Sequence, residues 1–321
     1  MTLEACLPPD LQGPTSKITQ IAAGLSGAGV YRVEAAGGAY VLKVSAEWEL
    51  AAGWRSRLQI QRLAADAGLA PRIVHVDEDR RAVLTAFVAD RSFAAFYGDL
   101  RTHEAALALL GRTLRRVHEL PLPPDAPAQS PREFLAAIWS GLSAGSAVPA
   151  FAREAIQRML AEEPPTDDRA LVLGHNDVNP TNLVYDGESI LLLDWQTAGA
   201  AHPSYDLATI SIFLRMDEAA CRKLLAAHDG VPADTASAAP NTPLPARFLY
   251  SRRLAAIACG TVFLHLAQKL GHPGATGAET PETTLSLGDL YAKLQAGALN
   301  IASADGQWAF GLALLKDSLS M

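Results

Sequence analysis

The sequence predicts an α+β chain, with a small antiparallel-sheet lobe at the N-terminal end and a larger, mainly helical lobe after it. Three observations carry this expectation. Short apolar or alternating runs, separated by turns of small residues, fill the first 88 residues. Apolar residues at helical spacing dominate from residue 103 onward. Among the helical runs lies a lone hairpin pattern, Leu183-Val-Tyr and Ile190-Leu-Leu-Leu, with Asp186-Gly187 between them as a tight-turn signal. A chain of 321 residues has room for two cores, and the division is expected at 1–88 and 89–321.

Taken in order, residues 17–23 read as a first strand and 24–29 as a turn of small residues. Residues 30–34 alternate apolar and polar, as a half-buried strand does. Ala36-Gly-Gly turns the chain, and 39–45 is the next strand. Lys43 interrupts that apolar strand. Its ammonium is costly there unless it reaches water or an anion; a lysine snorkelling to solvent from an edge strand is the plain alternative. Residues 47–68 read as a helix ended by Gly68, with Pro71 just beyond. Residues 81–88 read as the fifth strand, with the fourth entered near Pro71. A helix at 103–120 then carries Ala106, Leu109, Leu110, Leu114 and Val117 at helical spacing. A proline-rich loop follows, and helices are expected at 131–143, 150–162, 204–215, 217–228, 246–270, 285–299 and 305–318. The breaker-rich stretches 231–245 and 271–284 connect them.

The chemistry concentrates around the hairpin. The chain reads Leu173-Gly-His175-Asn-Asp177-Val-Asn-Pro-Thr-Asn182, then the hairpin, then Asp194-Trp195. With 186–189 as its loop, Tyr185 faces Ile190, and counting back sets Asn182 opposite Leu193, beside Asp194. An amide oxygen and a carboxylate from distant positions thus converge. Mg²⁺ prefers oxygen ligands and takes only one or two from protein when phosphates supply others. Asp177 precedes Asn182 in the same loop and can reach that centre without ligating the metal. A carboxylate there suits a base that orients a substrate hydroxyl.

His175-x-Asp177-x-x-x-x-Asn182 followed by Asp194 resembles the catalytic loop and metal-binding aspartate of the aminoglycoside phosphotransferase and choline kinase superfamily, which is related to the protein kinases. Trp195-Gln-Thr-Ala-Gly and Pro203-Ser-Tyr-Asp206-Leu-Ala look like its usual continuation. The resemblance implies a bilobal protein-kinase-like fold that uses ATP and Mg²⁺ to phosphorylate a small-molecule hydroxyl. It implies Lys43 on the α- and β-phosphates, and backbone N–H groups of Ser26 and Gly27 close to phosphate oxygens. Asn182 and Asp194 would ligate the metal, and Asp177 would be the base. Val41 and Phe87 would wall the adenine, or else be ordinary core. His175 would brace the loop through backbone hydrogen bonds. Asp206 would be structural, capping the helix that begins there. The turn at 24–29 is neither Gly-x-Gly-x-x-Gly nor a P-loop, and a plain hairpin turn explains it equally well.

Three positions depart from the pattern. Resembling proteins pair the strand lysine with a glutamate on the next helix, where the register sets Gln59. Many also carry acids where this chain has Gln196 and His202. A kinase-fold protein that binds nucleotide or ligand without turnover therefore stays open. The expected acceptor is a choline- or ethanolamine-like amino alcohol or a sugar, with an aminoglycoside-type antibiotic as the alternative. Trp195, Tyr205, Tyr250 and Trp308 are candidates for a quaternary-ammonium cage, or are core.

The net charge of −7 lacks the basic footprint of a nucleic-acid partner. The apolar runs fall short of the ~20 residues a membrane span needs. The three cysteines show neither zinc nor disulfide spacing, and the N-terminus shows no basic region with an apolar signal core. The cytoplasm is the expected compartment.

Overall fold

A computed structural model describes residues 2–14, 16–21, 29–45, 51–145, 147–231 and 243–321. Ser26 and Gly27, like Glu47 and Glu49, lie outside the described residues. The chain divides into two compact units. One comprises Met1–Ala128, Leu171–Ala201 and Arg222–Pro240, and the other Gln129–Ala170, His202–Cys221 and Asn241–Met321.

The first unit contains β1 (Lys17–Gln20), β2 (Gly29–Ala35), β3 (Gly38–Val44), β4 (Ile73–Asp77) and β5 (Ala82–Ala86). They form one antiparallel sheet in the order β1-β2-β3-β5-β4. Side chains alternate across a strand, so Leu42 points to one face of β3 and Val41 and Lys43 to the other. On the Leu42 face, Val33, Ala82 and Leu84 close a core with Cys6, Leu7 and Leu11 of the N-terminal segment. On the Lys43 face, Val83 packs on Trp54 and Leu58 of α1 (Ala51–Asp66). The helix stops where the sequence says it should. Gly68 takes φ +67°, which glycine tolerates best, and the N–H of Leu69 returns to Ala64 O at 2.8 Å.

The short helix α2 (Phe93–Gly98) has no counterpart among the expected elements. Its six residues are too few to show a helical period. Its cap is local: Ser92 Oγ accepts from Ala95 N–H at 3.1 Å. The next helix, α3 (His103–His118), buries Leu107, Leu110, Leu114 and Val117. Two small sheets complete the unit. β6 (Val172–Gly174) pairs with β9 (Gly199–Ala201), and β7 (Leu183–Tyr185) pairs with β8 (Ile190–Leu192).

The second unit is helical: α4 (Pro131–Gly145), α5 (Ala150–Ala161), α6 (Ser204–Phe213), then, past α7 (Glu218–His228), which runs across the division between units, α8 (Ala246–Lys269), α9 (Leu287–Gln295) and α10 (Ala304–Asp317). Leu254, Ile257 and Leu264 of α8 share a core with Trp308, Leu312 and Leu315 of α10. The two helices approach closely at a pair of glycines. A Cβ on Gly311 would lie 2.7 Å from Gly260 O, and one on Gly260 would lie 2.9 Å from Gly311 O. Backbone has no rotamer with which to yield, so Gly311→Ala is expected to destabilise the fold by about 1–3 kcal/mol. A lower denaturation midpoint at unchanged m-value checks this. No helix among the described residues is long and apolar enough to cross a membrane.

Candidate active site

The hairpin has the register expected with 186–189 as its loop. Tyr185 faces Ile190 and Leu183 faces Leu192. Leu193 N–H then donates to Asn182 O at 2.8 Å, which sets Asn182 beside Asp194. The turn is self-supporting. Asp186 Oδ1 accepts from the N–H groups of Ser189 and Glu188 at 2.8 and 2.9 Å, and these bonds hold its carboxyl below the ordinary carboxylate value. The segment after β5 is tied to this hairpin. Tyr185 N–H donates to Asp90 Oδ1 at 3.1 Å, Arg91 N–H donates to Tyr185 O at 2.7 Å, and Phe96 stacks on the Tyr185 ring at 4.6 Å.

His175 and Asp177 occupy the loop between β6 and β7. His175 is fully buried, and its two ring nitrogens serve backbone groups. Nε2 donates to Leu193 O at 2.8 Å, and Nδ1 accepts from Asp177 N–H at 3.3 Å. The buried Trp195 packs edge-on against the ring at 4.8 Å. Asp177 is held on both carboxylate oxygens. Asn182 Nδ2 donates to Oδ2 at 2.8 Å and Asn179 Nδ2 donates to Oδ1 at 3.0 Å. Burial pushes the Asp177 carboxyl above the ordinary carboxylate value, and the negative charge of Asp194 adds to that. His175 and the two amides pull the other way without cancelling it. Asn179 is a contact that motif reading passed over. The available signal was an amide two residues after the key carboxylate, ahead of Pro180.

Lys43 reaches the same centre from the sheet. Its Nζ donates to Asp194 Oδ1 at 2.7 Å, with both side chains about one-third exposed or less. The pocket beside this pair is lined by Trp54, Arg57, Leu58 and Gln61 of α1, with Trp195 and Gln196. This corrects the expected register. Gln59 is exposed, and α1 turns Arg57 and Gln61 to the pocket instead. The carboxylate that Lys43 meets is Asp194. On the same sheet face, Val41 is half-buried opposite Arg32, whose guanidinium lies 4.4 Å over the Phe87 ring.

In the second unit, Asp206 stands buried in the first turn of α6, where the helix end favours a negative charge. The first N–H of that helix, on Ser204, donates to His202 Nδ1 at 3.2 Å. Nε2 of His202 is 3.4 Å from Asp167 Oδ2. Burial, helped by Arg247, pushes the His202 pKa down. His202 thus does for this helix what a capping carboxylate would do. His202→Ala is expected to cost about 1 kcal/mol, the scale of a lost cap, measurable as a lower midpoint of unfolding. Because the folded state resists protonating His202, that contribution is lost as pH falls below the ordinary histidine value. Trp195, Tyr250 and Trp308 are all core residues, and Tyr205 packs against the core.

The donor set suits a magnesium–nucleotide complex. Asn182 turns its N–H groups to Asp177 O and Oδ2, at 2.9 and 2.8 Å, so its amide oxygen is presented away from Asp177. Asp194 adopts the left-handed conformation, φ +59°, which is uncommon outside glycine and concentrates at functional positions. Among the described residues, no group of three or more His, Cys, Asp or Glu side chains could hold a metal alone. A metal here would need phosphate oxygens as well, as Mg²⁺ commonly does.

The chain belongs to the phosphotransferase enzyme family, whose profile matches residues 17–240, more than half of the chain, within the aminoglycoside phosphotransferase and choline kinase superfamily. Among solved structures, it is similar to a choline/ethanolamine kinase family protein from Mesorhizobium loti, at 19% identity over 94% of this chain and 89% of that one, with TM-score 0.59. It is also similar to choline kinase from Cryptosporidium parvum Iowa II, at 10% identity over 99% and 92%, with TM-score 0.66. A third is a spectinomycin phosphotransferase in complex with ADP and spectinomycin, at 16% identity over 95% and 94%, with TM-score 0.53. At these identities the likeness is one of fold, and that fold is protein-kinase-like. A comparison with curated proteins gives no match.

Proposed function

We propose that the chain transfers the γ-phosphoryl group of ATP to a hydroxyl of a small metabolite, an amino alcohol or a sugar. The observation that carries this reading is the convergence on one centre of Lys43, Asp177, Asn182 and Asp194. Lys43 is bonded to Asp194, Asn182 is bonded to Asp177, and the Asp194 charge acts on Asp177. Residues 1–88 would serve the nucleotide, and 89–321 would supply the catalytic loop and the acceptor site.

Lys43 holds the α- and β-phosphates, exchanging a carboxylate oxygen for phosphate oxygens. Asn182 and Asp194 offer oxygens to Mg²⁺, which when bound supplies charge stabilisation across the phosphates. Asp177 takes the hydroxyl proton as the acceptor oxygen bonds to the γ-phosphorus and the bond to the leaving ADP oxygen breaks. His175 keeps the loop in register through Leu193 O and the Asp177 N–H. Val41 and Phe87, on the Lys43 face, flank the adenine. Positioning and electrostatics carry such a reaction.

The neutral Gln196 and His202, standing where many relatives carry acids, weigh against any cationic acceptor, and most against a polycationic antibiotic. The intact set of Lys43, Asp177, Asn182 and Asp194 weighs against a protein that only binds nucleotide. Incubation with Mg-ATP and a panel of choline, ethanolamine, sugars and aminoglycosides tests the reading. A phosphorylated amino alcohol or sugar is expected. Product from aminoglycosides alone would replace the acceptor class. ATP binding without any product would favour the non-catalytic alternative.

A further inference from the structure

We propose that Asn179 is a positioning residue for Asp177, fixing the plane in which its carboxylate meets the acceptor hydroxyl. The proposal rests on the reading of Asp177 as the base. The two ends of the Asn179 amide do separate jobs. Its oxygen accepts from Thr181 N–H at 3.0 Å and from Thr181 Oγ1 at 2.6 Å. These bonds close the turn Pro180–Asn182, which leads into β7. Its nitrogen donates to Asp177 Oδ1 at 3.0 Å and to Asp177 O at 3.3 Å.

The amide has one workable orientation. Turned over, it would set its oxygen against a carboxylate oxygen and its N–H groups against the Thr181 donors. Asn182 holds the other oxygen of Asp177 at 2.8 Å. With one amide on each oxygen, the carboxylate cannot rotate without breaking a bond to a charged acceptor, the stronger class of hydrogen bond. The two amides are not equivalent. Asn182 keeps its oxygen for the metal, so its position answers to the metal as well. The Asn179 oxygen is used within the turn, which leaves its nitrogen to Asp177.

Three variants separate the turn from the clamp, with phosphoryl transfer from Mg-ATP to water as the probe reaction. Asn179→Ser keeps an oxygen suited to the turn and loses the amide nitrogen. Asn179→Ala loses both. Asp177→Asn tests the base. Asn179→Ser is expected to unfold at the wild-type temperature, keep the KM for ATP and lose about 10- to 100-fold in kcat, the scale of a misplaced catalytic group. Asn179→Ala is expected to show the same kcat loss with lower thermal stability. Wild-type kcat in Asn179→Ser overturns the proposal, because only the turn would then matter. Undiminished kcat in Asp177→Asn overturns the reading of Asp177 instead. A second readout needs neither nucleotide nor acceptor. The side-chain amide resonances of Asn179 are expected to shift on Asp177→Asn in the nucleotide-free protein, and unchanged resonances overturn the clamp.

Discussion

Asp177→Ala is expected to lower phosphoryl transfer by about 10²- to 10⁴-fold, the usual span for a positioned general base, while nucleotide affinity stays near wild type. The separation follows from the contacts. Asp177 bonds to Asn179 and Asn182, whereas Lys43 bonds to Asp194. Removing Asp177 therefore leaves the Lys43–Asp194 pair in place. Single-turnover kinetics together with ADP titration check both halves, and a variant that keeps its turnover refutes the assignment.

The same residue sets a pH dependence. Burial, reinforced by Asp194, raises the Asp177 pKa, and a base must be ionised to accept a proton. Activity is thus lost on the acid side at a higher pH than an ordinary carboxylate would give. The sign for stability is the reverse of a paired carboxylate. The ionised form weighs against the fold, with no effect below the unfolded-state pKa and full effect above the raised one. An Asp177 carboxyl that titrates within the ordinary carboxylate range in the metal-free protein, followed by NMR, would contradict this; bound metal eases the ionisation and moves the rate limb down from that value.

Asp194→Asn has the second large effect. It removes the charge of the oxygen proposed to meet Mg²⁺ and the carboxylate that Lys43 contacts at 2.7 Å. The advantage that Mg²⁺ gives to ADP binding should fall by at least about 100-fold, beyond the 10- to 100-fold typical of residues that merely support a ligand. ADP titrations with and without Mg²⁺ measure it directly. If Mg²⁺ still strengthens ADP binding as in wild type, Asp194 is not the ligand.

What the sequence made legible follows from range. The hairpin was readable because two short apolar runs flank a turn signal, and 186–189 as the loop sets Tyr185 opposite Ile190 and Asn182 beside Asp194. Lys43 was readable because a charge in an apolar strand has few explanations. The α1 face was misread because the start of that helix could not be located. Two residues of slip turn a side chain by about 200° at 3.6 residues per turn, which is the difference between Gln59 and Gln61. The apolar pair Trp54 and Leu58 marks the buried face, and Arg57 and Gln61 flank it; that spacing was the missed signal. The Lys43–Asp194 bond spans 151 residues, so no local pattern could reveal it. His202 looked like a lost acid, because sequence cannot show that a ring nitrogen meets the Ser204 N–H.

The most direct measurement sets wild type and Asp177→Ala side by side, with γ-labelled ATP, Mg²⁺ and a pooled mixture of small hydroxyl compounds. Labelled phosphate should appear on an alcohol with wild type and not with the variant, although both bind ATP. Equal labelling by the two proteins, or none by wild type while ATP is bound, would contradict the account.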